Sequence, residues 1–244
     1  MARFVLVHGA FVGSWLWGPL AERLQELSHS TEAPDLPGSG DDSTPIEEVT
    51  LDAYAERICD VLDGRDEPAI LVANSMGGIV ISEAAARRPD RVRRLVYVAA
   101  FLPADGQSLV DLTHLPEGAG DLVQANVVVA GDPPVGTLPE EIALESNSEC
   151  APEVAAWAAR HTGPQSMAPL TEAVSLNEEF ERIPRTYVIC SKDRFVPPPL
   201  QRRMVRERRV TDVVELDTDH HPQLSRTDEL ARVLQERTRE EVAA

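Results

Sequence analysis

Residues 70–81 read Ile-Leu-Val-Ala-Asn-Ser-Met-Gly-Gly-Ile-Val-Ile, and no other stretch restricts the fold as strongly. Four apolar residues, as in a buried strand, run into a lone serine, two glycines and an apolar helical segment, with no room for a loop between them. A strand that turns so abruptly into a helix belongs to a βα unit of a parallel sheet. Ser75 then sits on the turn, its hydroxyl above the sheet edge, where the first amides of the helix also point. Gly77 and Gly78 suit the convergence of strand and helix, because side chains there would clash. The usual form of this turn is G-x-S-x-G; here the first position is Ala73, the smallest substitute. Read alone, so short a motif also fits an ordinary βα turn.

The rest of the chain repeats the unit. Phe4-Val-Leu-Val reads as a buried strand, and a helix opening at Ser14 follows, with Leu16, Leu20, Leu24 and Leu27 at helical spacing. Thr50 is a good N-cap for a helix presenting Leu51, Tyr54, Ala55, Ile58, Val61 and Leu62 on one face. The helix after Ser75 must stop before Pro89. Strands are expected at 92–99, 186–190 and 213–216, with helices after 197–199 and over 224–240. Strand and helix in alternation predict an α/β fold: a mostly parallel open sheet with helices on both faces. From 102 to 176 the rhythm breaks into Pro-, Gly-, Ala- and acid-rich sequence, with one clear helical patch around Trp157. That length suits an inserted lid on a core formed by 1–101 and 177–244.

Composition excludes several classes of function. With 41 acidic and 23 basic residues the net charge is −18, a surface that repels phosphate backbones and argues against nucleic acid as a partner. The arginines at 87, 88, 91, 93 and 94, and at 202, 203, 206, 208 and 209, read as solvated faces. No stretch approaches a membrane span, and because the chain enters a strand at once no signal peptide is expected. Cys59, Cys150 and Cys190 are odd in number and widely spaced, with neither metal-site spacing nor a disulfide framework; they suit the reducing cytoplasm, where the chain is expected.

A serine hydroxyl needs a base to take its proton and a third group to orient that base. In an open parallel sheet the chemistry gathers beyond the carboxyl ends of the strands. Two post-strand loops carry suitable groups: Cys-Ser-Lys-Asp193 and Asp-Thr-Asp-His220-His221. Asp193 is the candidate acid and His220 the candidate base. His221 competes with it, on the expectation that only one of two neighbours can face Ser75. Asp217 and Asp219 lie too close to the histidines in sequence to be preferred, and His29, His114 and His161 lack any such context. The oxyanion of an acyl transfer needs two amide donors: that of Met76, after the serine, and that of Ala10, in the loop opened by His8-Gly9. Phe11, Phe101 and Trp157 are candidate apolar walls for a substrate.

The segments Phe4-Val-Leu-Val-His-Gly-Ala, Ala33-Pro-Asp-Leu-Pro-Gly-Ser-Gly, Asn74-Ser-Met-Gly-Gly and Val96-Tyr-Val-Ala-Ala-Phe-Leu-Pro resemble the α/β-hydrolase superfamily. The branch is that of hydroxynitrile lyases and plant methyl-ester esterases, with salicylate-binding esterases and bacterial relatives. Ser75, Ser191-Lys-Asp193 and Asp219-His220 match its nucleophile, acid and base, in the chain order of that fold. Alignment back from Leu224-Ser-Arg-Thr-Asp-Glu-Leu-Ala favours His220 over His221. The resemblance implies a serine hydrolase of small or medium carboxylic esters that needs no cofactor and no metal; a homodimer is an open expectation. Carbon–carbon cleavage, as in the lyases, and a non-catalytic ligand receptor are the alternatives. Two departures bear on them. Ala73-Asn74 stands where the branch carries Gly-His, and Gly9 and His221 stand where one lyase lineage has a threonine and a cyanide-stabilising lysine.

Overall fold

A computed structural model describes residues 1–238. Its main sheet has six parallel strands: β1 (Arg3–Val7), β2 (Ser30–Glu32), β3 (Ala69–Asn74), β4 (Val92–Val98), β8 (Arg185–Cys190) and β9 (Asp212–Leu216), in the order β2-β1-β3-β4-β8-β9. The central strands are apolar on both faces because both are covered. On β3, Leu71 and Ala73 join one core with Tyr54, Ile58, Ile79 and Met204, while Ile70 and Val72 join a second with Leu20, Leu24, Leu230 and Leu234. Helices α2 (Leu51–Asp63), α3 (Gly77–Arg87) and α10 (Pro198–Glu207) thus cover one face; α1 (Gly18–Glu26) and α12 (Thr227–Arg237) cover the other.

Local chemistry sets the boundaries. Thr50 caps α2, its hydroxyl accepting from the Ala53 amide at 3.0 Å. Helix α3 ends at Arg87, two residues before Pro89. The helix expected from Ser14 begins as a 3-10 turn over Ser14–Trp17 and becomes α-helical at Gly18. The helix expected over 224–240 is two: α11 (Pro222–Ser225) and α12, separated where Arg226 leaves helical geometry (φ −138°, ψ 43°). The end of that expected helix, at Glu240, lies outside the described residues.

The chain between β4 and β8 carries more structure than its composition suggests. It holds α4 (Leu109–Thr113), α5 (Leu122–Asn126), α6 (Glu140–Glu145), α7 (Pro152–Arg160), α8 (Ala168–Thr171) and α9 (Glu178–Arg182). It also holds a small antiparallel sheet of β5 (Val128–Ala130), β6 (Val135–Thr137) and β7 (Gln165–Ser166), which no sequence periodicity announces. This insert lines one cavity together with the loops after β1, β3, β4, β8 and β9, at the carboxyl edge of the main sheet. No helix of the described residues is long and apolar enough to cross a membrane.

Candidate active site

The turn after β3 is strained where chemistry would use it. Ser75 has φ 56°, the left-handed region that a residue with a Cβ enters at a cost of about 1–2 kcal/mol. Two bonds hold it there: the Ser75 carbonyl accepts from the amides of Gly78 (3.1 Å) and Phe101 (3.0 Å). Packing leaves no room for side chains around the turn. A Cβ on Gly78 would lie 2.1 Å from the Phe101 carbonyl oxygen, and one on Gly9 would lie 2.8 Å from Ser75 Cβ. The loop after β1 is therefore pressed against the serine. His8 fixes that loop: its Nε2 accepts from the Leu36 amide (3.0 Å), so its proton is on Nδ1, facing the Gly9 carbonyl at 2.8 Å. Burial pushes the His8 pKa down, which keeps the ring neutral in this role. No hydrogen bond within the described residues uses the amide of Ala10, the amide of Met76 or the hydroxyl of Ser75.

Across the cavity, His220 Nδ1 lies 2.8 Å from Asp193 Oδ2, both side chains almost wholly buried. The carboxylate is held on every side. Its Oδ1 accepts from the amides of Phe195 (2.7 Å) and Val196 (3.1 Å), and its Oδ2 also accepts from Gln201 Nε2 (3.2 Å). The Phe195 ring stacks on the imidazole at 5.2 Å. With Nδ1 engaged, Nε2 is the nitrogen left for chemistry. Asn74 ties this arm to the serine strand, its Nδ2 donating to the carbonyls of Val98 and His220, each at 3.0 Å. The replacement of the branch's usual histidine thus gives a bond beneath the site.

Ser75, His220, Ala10, Met76, Phe11 and Phe101 all line one cavity, whose empty space, mouth included, is about 830 Å³. Its wall is largely apolar, with Leu109, Val123, Val127, Met167 and Leu170 supplied by the insert. Trp157 is not brought there. It lies on the outer side of α7, 38% exposed, edge-on to Trp15 (5.0 Å) and against His161 (4.3 Å), while Ala155, Ala158 and Ala159 take the helix's buried face. Both paired histidines line the cavity, their rings 4.9 Å apart, and they differ in partner. His220 meets Asp193, whereas His221 meets Asn147. Asp217 bonds Ser191 and Lys192, and Asp219 bonds the Glu149 amide and Ser225, so neither orients a ring. Gln201, Asn147 and the cavity carboxyl Asp121 carry no sequence signal of their positions. Among the described residues no group of three or more His, Cys, Asp or Glu side chains could hold a metal ion.

Residues 4–233 match the alpha/beta hydrolase family, and the chain belongs to it. Within that family it falls in the methylesterase branch. Methylesterase 7 of Arabidopsis thaliana is 32% identical, the match covering 96% of this chain and 95% of the relative. Salicylic acid-binding protein 2 of Nicotiana tabacum is 30% identical over 96% of each chain. The crystal structure of a polyneuridine aldehyde esterase mutant superposes with a TM-score of 0.87 at 25% identity, covering 97% of this chain and 99% of that one.

Proposed function

We propose that this protein is a serine esterase that cleaves small or medium carboxylic esters through an acyl-enzyme on Ser75. The observation that carries the reading is the buried Asp193–His220 pair opening onto the same cavity as a serine in left-handed geometry. Ser75 Oγ attacks the ester carbonyl carbon and passes its proton to His220 Nε2. The oxyanion that forms takes hydrogen bonds from the Ala10 and Met76 amides, the two donors left uncommitted beside it. Asp193 holds the imidazole in the needed tautomer and supports its charge. His220 then protonates the departing alcohol, and water releases the acid by the reverse sequence. Esterase and methylesterase relatives along nearly the whole chain support the same class.

The lyase alternative loses its cation at position 221. A histidine stands there, and burial pushes its pKa well below that of a free imidazole, so no positive charge is held for a cyanide leaving group. Ser75→Ala should reduce hydrolysis of p-nitrophenyl acetate to background while circular dichroism and thermal midpoint stay near wild type. Turnover surviving in that variant would defeat the assignment.

A further inference from the structure

The residue after the proposed general base takes no part in the chemistry above, yet it is built into the same wall. His221 is buried and lines the cavity beside His220. Its neighbours fix its tautomer. The Ser146 hydroxyl donates to the Ala143 carbonyl (2.7 Å), so it accepts from Asn147 Nδ2 (2.8 Å). Asn147 Oδ1 is then the atom facing His221 Nδ1 at 3.0 Å, and an amide oxygen can only accept. The ring proton is therefore on Nδ1, and Nε2 keeps its lone pair. Burial, with His220 adding in the same direction, disfavours the charged ring. Nε2 has no partner among the described residues and is not one of the unpaired atoms sealed from solvent. An acceptor thus stands open at the cavity wall, its ring centre 4.9 Å from that of the proposed base.

We propose that His221 Nε2 is the second acceptor for the water that hydrolyses the acyl-enzyme, an inference that rests on the esterase reading. A water bound through one hydrogen to His220 can swing its oxygen away from the acyl carbon. Hydrogen bonds of about 2.8 Å let one water bridge two rings at this separation, which fixes the direction of its lone pair. During attack the water oxygen bonds the acyl carbon, one O–H bond breaks, and that proton goes to His220 Nε2. The carbonyl electron pair moves onto its oxygen, held by the Ala10 and Met76 amides. When the pair returns, the bond from carbon to Oγ breaks and His220 gives its proton to Ser75. The second water hydrogen, donated to His221 throughout, leaves on the product acid. Acylation consumes no water, so His221 acts on deacylation alone.

Rapid mixing with p-nitrophenyl acetate separates the two steps. His221→Phe keeps a ring of similar size without the acceptor. It should slow deacylation about tenfold or more, with acylation within about twofold of wild type. A stoichiometric burst of nitrophenol would then precede a slow steady state, and acetylated protein would accumulate in the mass spectrum. His221→Gln retains an acceptor and should recover much of the lost rate. An unchanged ratio of the two rates in His221→Phe, or equal losses in both steps, overturns the role. If that variant does not fold, Asn147→Asp offers a second route, because a carboxylate there favours a proton on both ring nitrogens and turns Nε2 into a donor. It should produce the same burst, and an unaltered ratio overturns the role equally. Wild-type protein that never acetylates Ser75 sinks the esterase reading itself, and this role with it.

Discussion

The strain at Ser75 can be measured separately from its chemistry. Alanine keeps the Cβ and therefore the cost of φ 56°, whereas glycine releases it. Ser75→Gly should be as inactive as Ser75→Ala but more stable by up to about 1 kcal/mol, the relief being partly offset by the freedom glycine gives the unfolded chain. Urea denaturation of the two variants measures the difference; an alanine variant of equal or greater stability would mean the turn is unstrained. The placement of Ser75, Asp193 and His220 in post-strand loops at one end of the sheet was legible in sequence, because each follows a recognisable apolar strand. That of Asn147 and Gln201 was not. Asn147 reaches His221 across 74 positions, and an asparagine in a surface-like segment gives no hint of that approach. Gln201 sits on a helix whose glutamine would pass as solvated until Asp193 folds over it. Trp157 misled for the opposite reason: a large apolar ring suggested a wall, but α7 buries its alanines instead.

Long periodic elements were readable; short ones were not. Thr50, Pro89 and the spacing of leucines located α1, α2 and α3 because each signal is local. The strands β5, β6 and β7 have two or three residues each, too few to show alternation, and β5 leaves Val128 and Val129 exposed. Pairing within the insert, not propensity, creates them. Helix α5 offers a test of how this insert is held. Asp121 caps it, accepting from the Val123 amide at 2.7 Å, yet burial pushes its pKa up to about 6 against the opposing pull of that bond. The sign follows directly. A carboxyl that holds its proton more tightly when folded contributes fully below its ordinary value near 3.8, and that contribution is lost as pH rises through about 6. Asp121→Asn keeps the cap and removes the titration. Its stability relative to wild type should therefore rise between pH 5 and 7.5, by on the order of 2 kcal/mol at most. Equal gaps at the two pH values would show that the carboxyl is not perturbed.

At the scale of the whole molecule, charge and topology decide different properties. Several arginines of the two clusters are paired: Arg87 with Asp52 and Glu83, Arg88 with Asp63, Arg202 with Glu215, Arg203 with Glu117 and Glu207. Where both partners are exposed, as in Arg88 with Asp63 and Arg202 with Glu215, such a pair is worth about 0–1 kcal/mol, while the excess of acids, −18 overall, repels itself over longer distances. Raising sodium chloride from about 0.1 M to about 1 M shortens the screening length from about 10 to about 3 Å. The thermal midpoint should rise, and a fall would mean that the local pairs outweigh the net repulsion. Topology governs a different freedom. The insert leaves after β4 and returns at β8, and these are adjacent strands in register, Leu95 beside Arg185 and Val98 beside Val188. The excursion closes on itself, so the main sheet runs unbroken from β4 to β8 across the gap. Mutational drift in that detour can recast the cavity wall while the strands on either side of it keep their pairing.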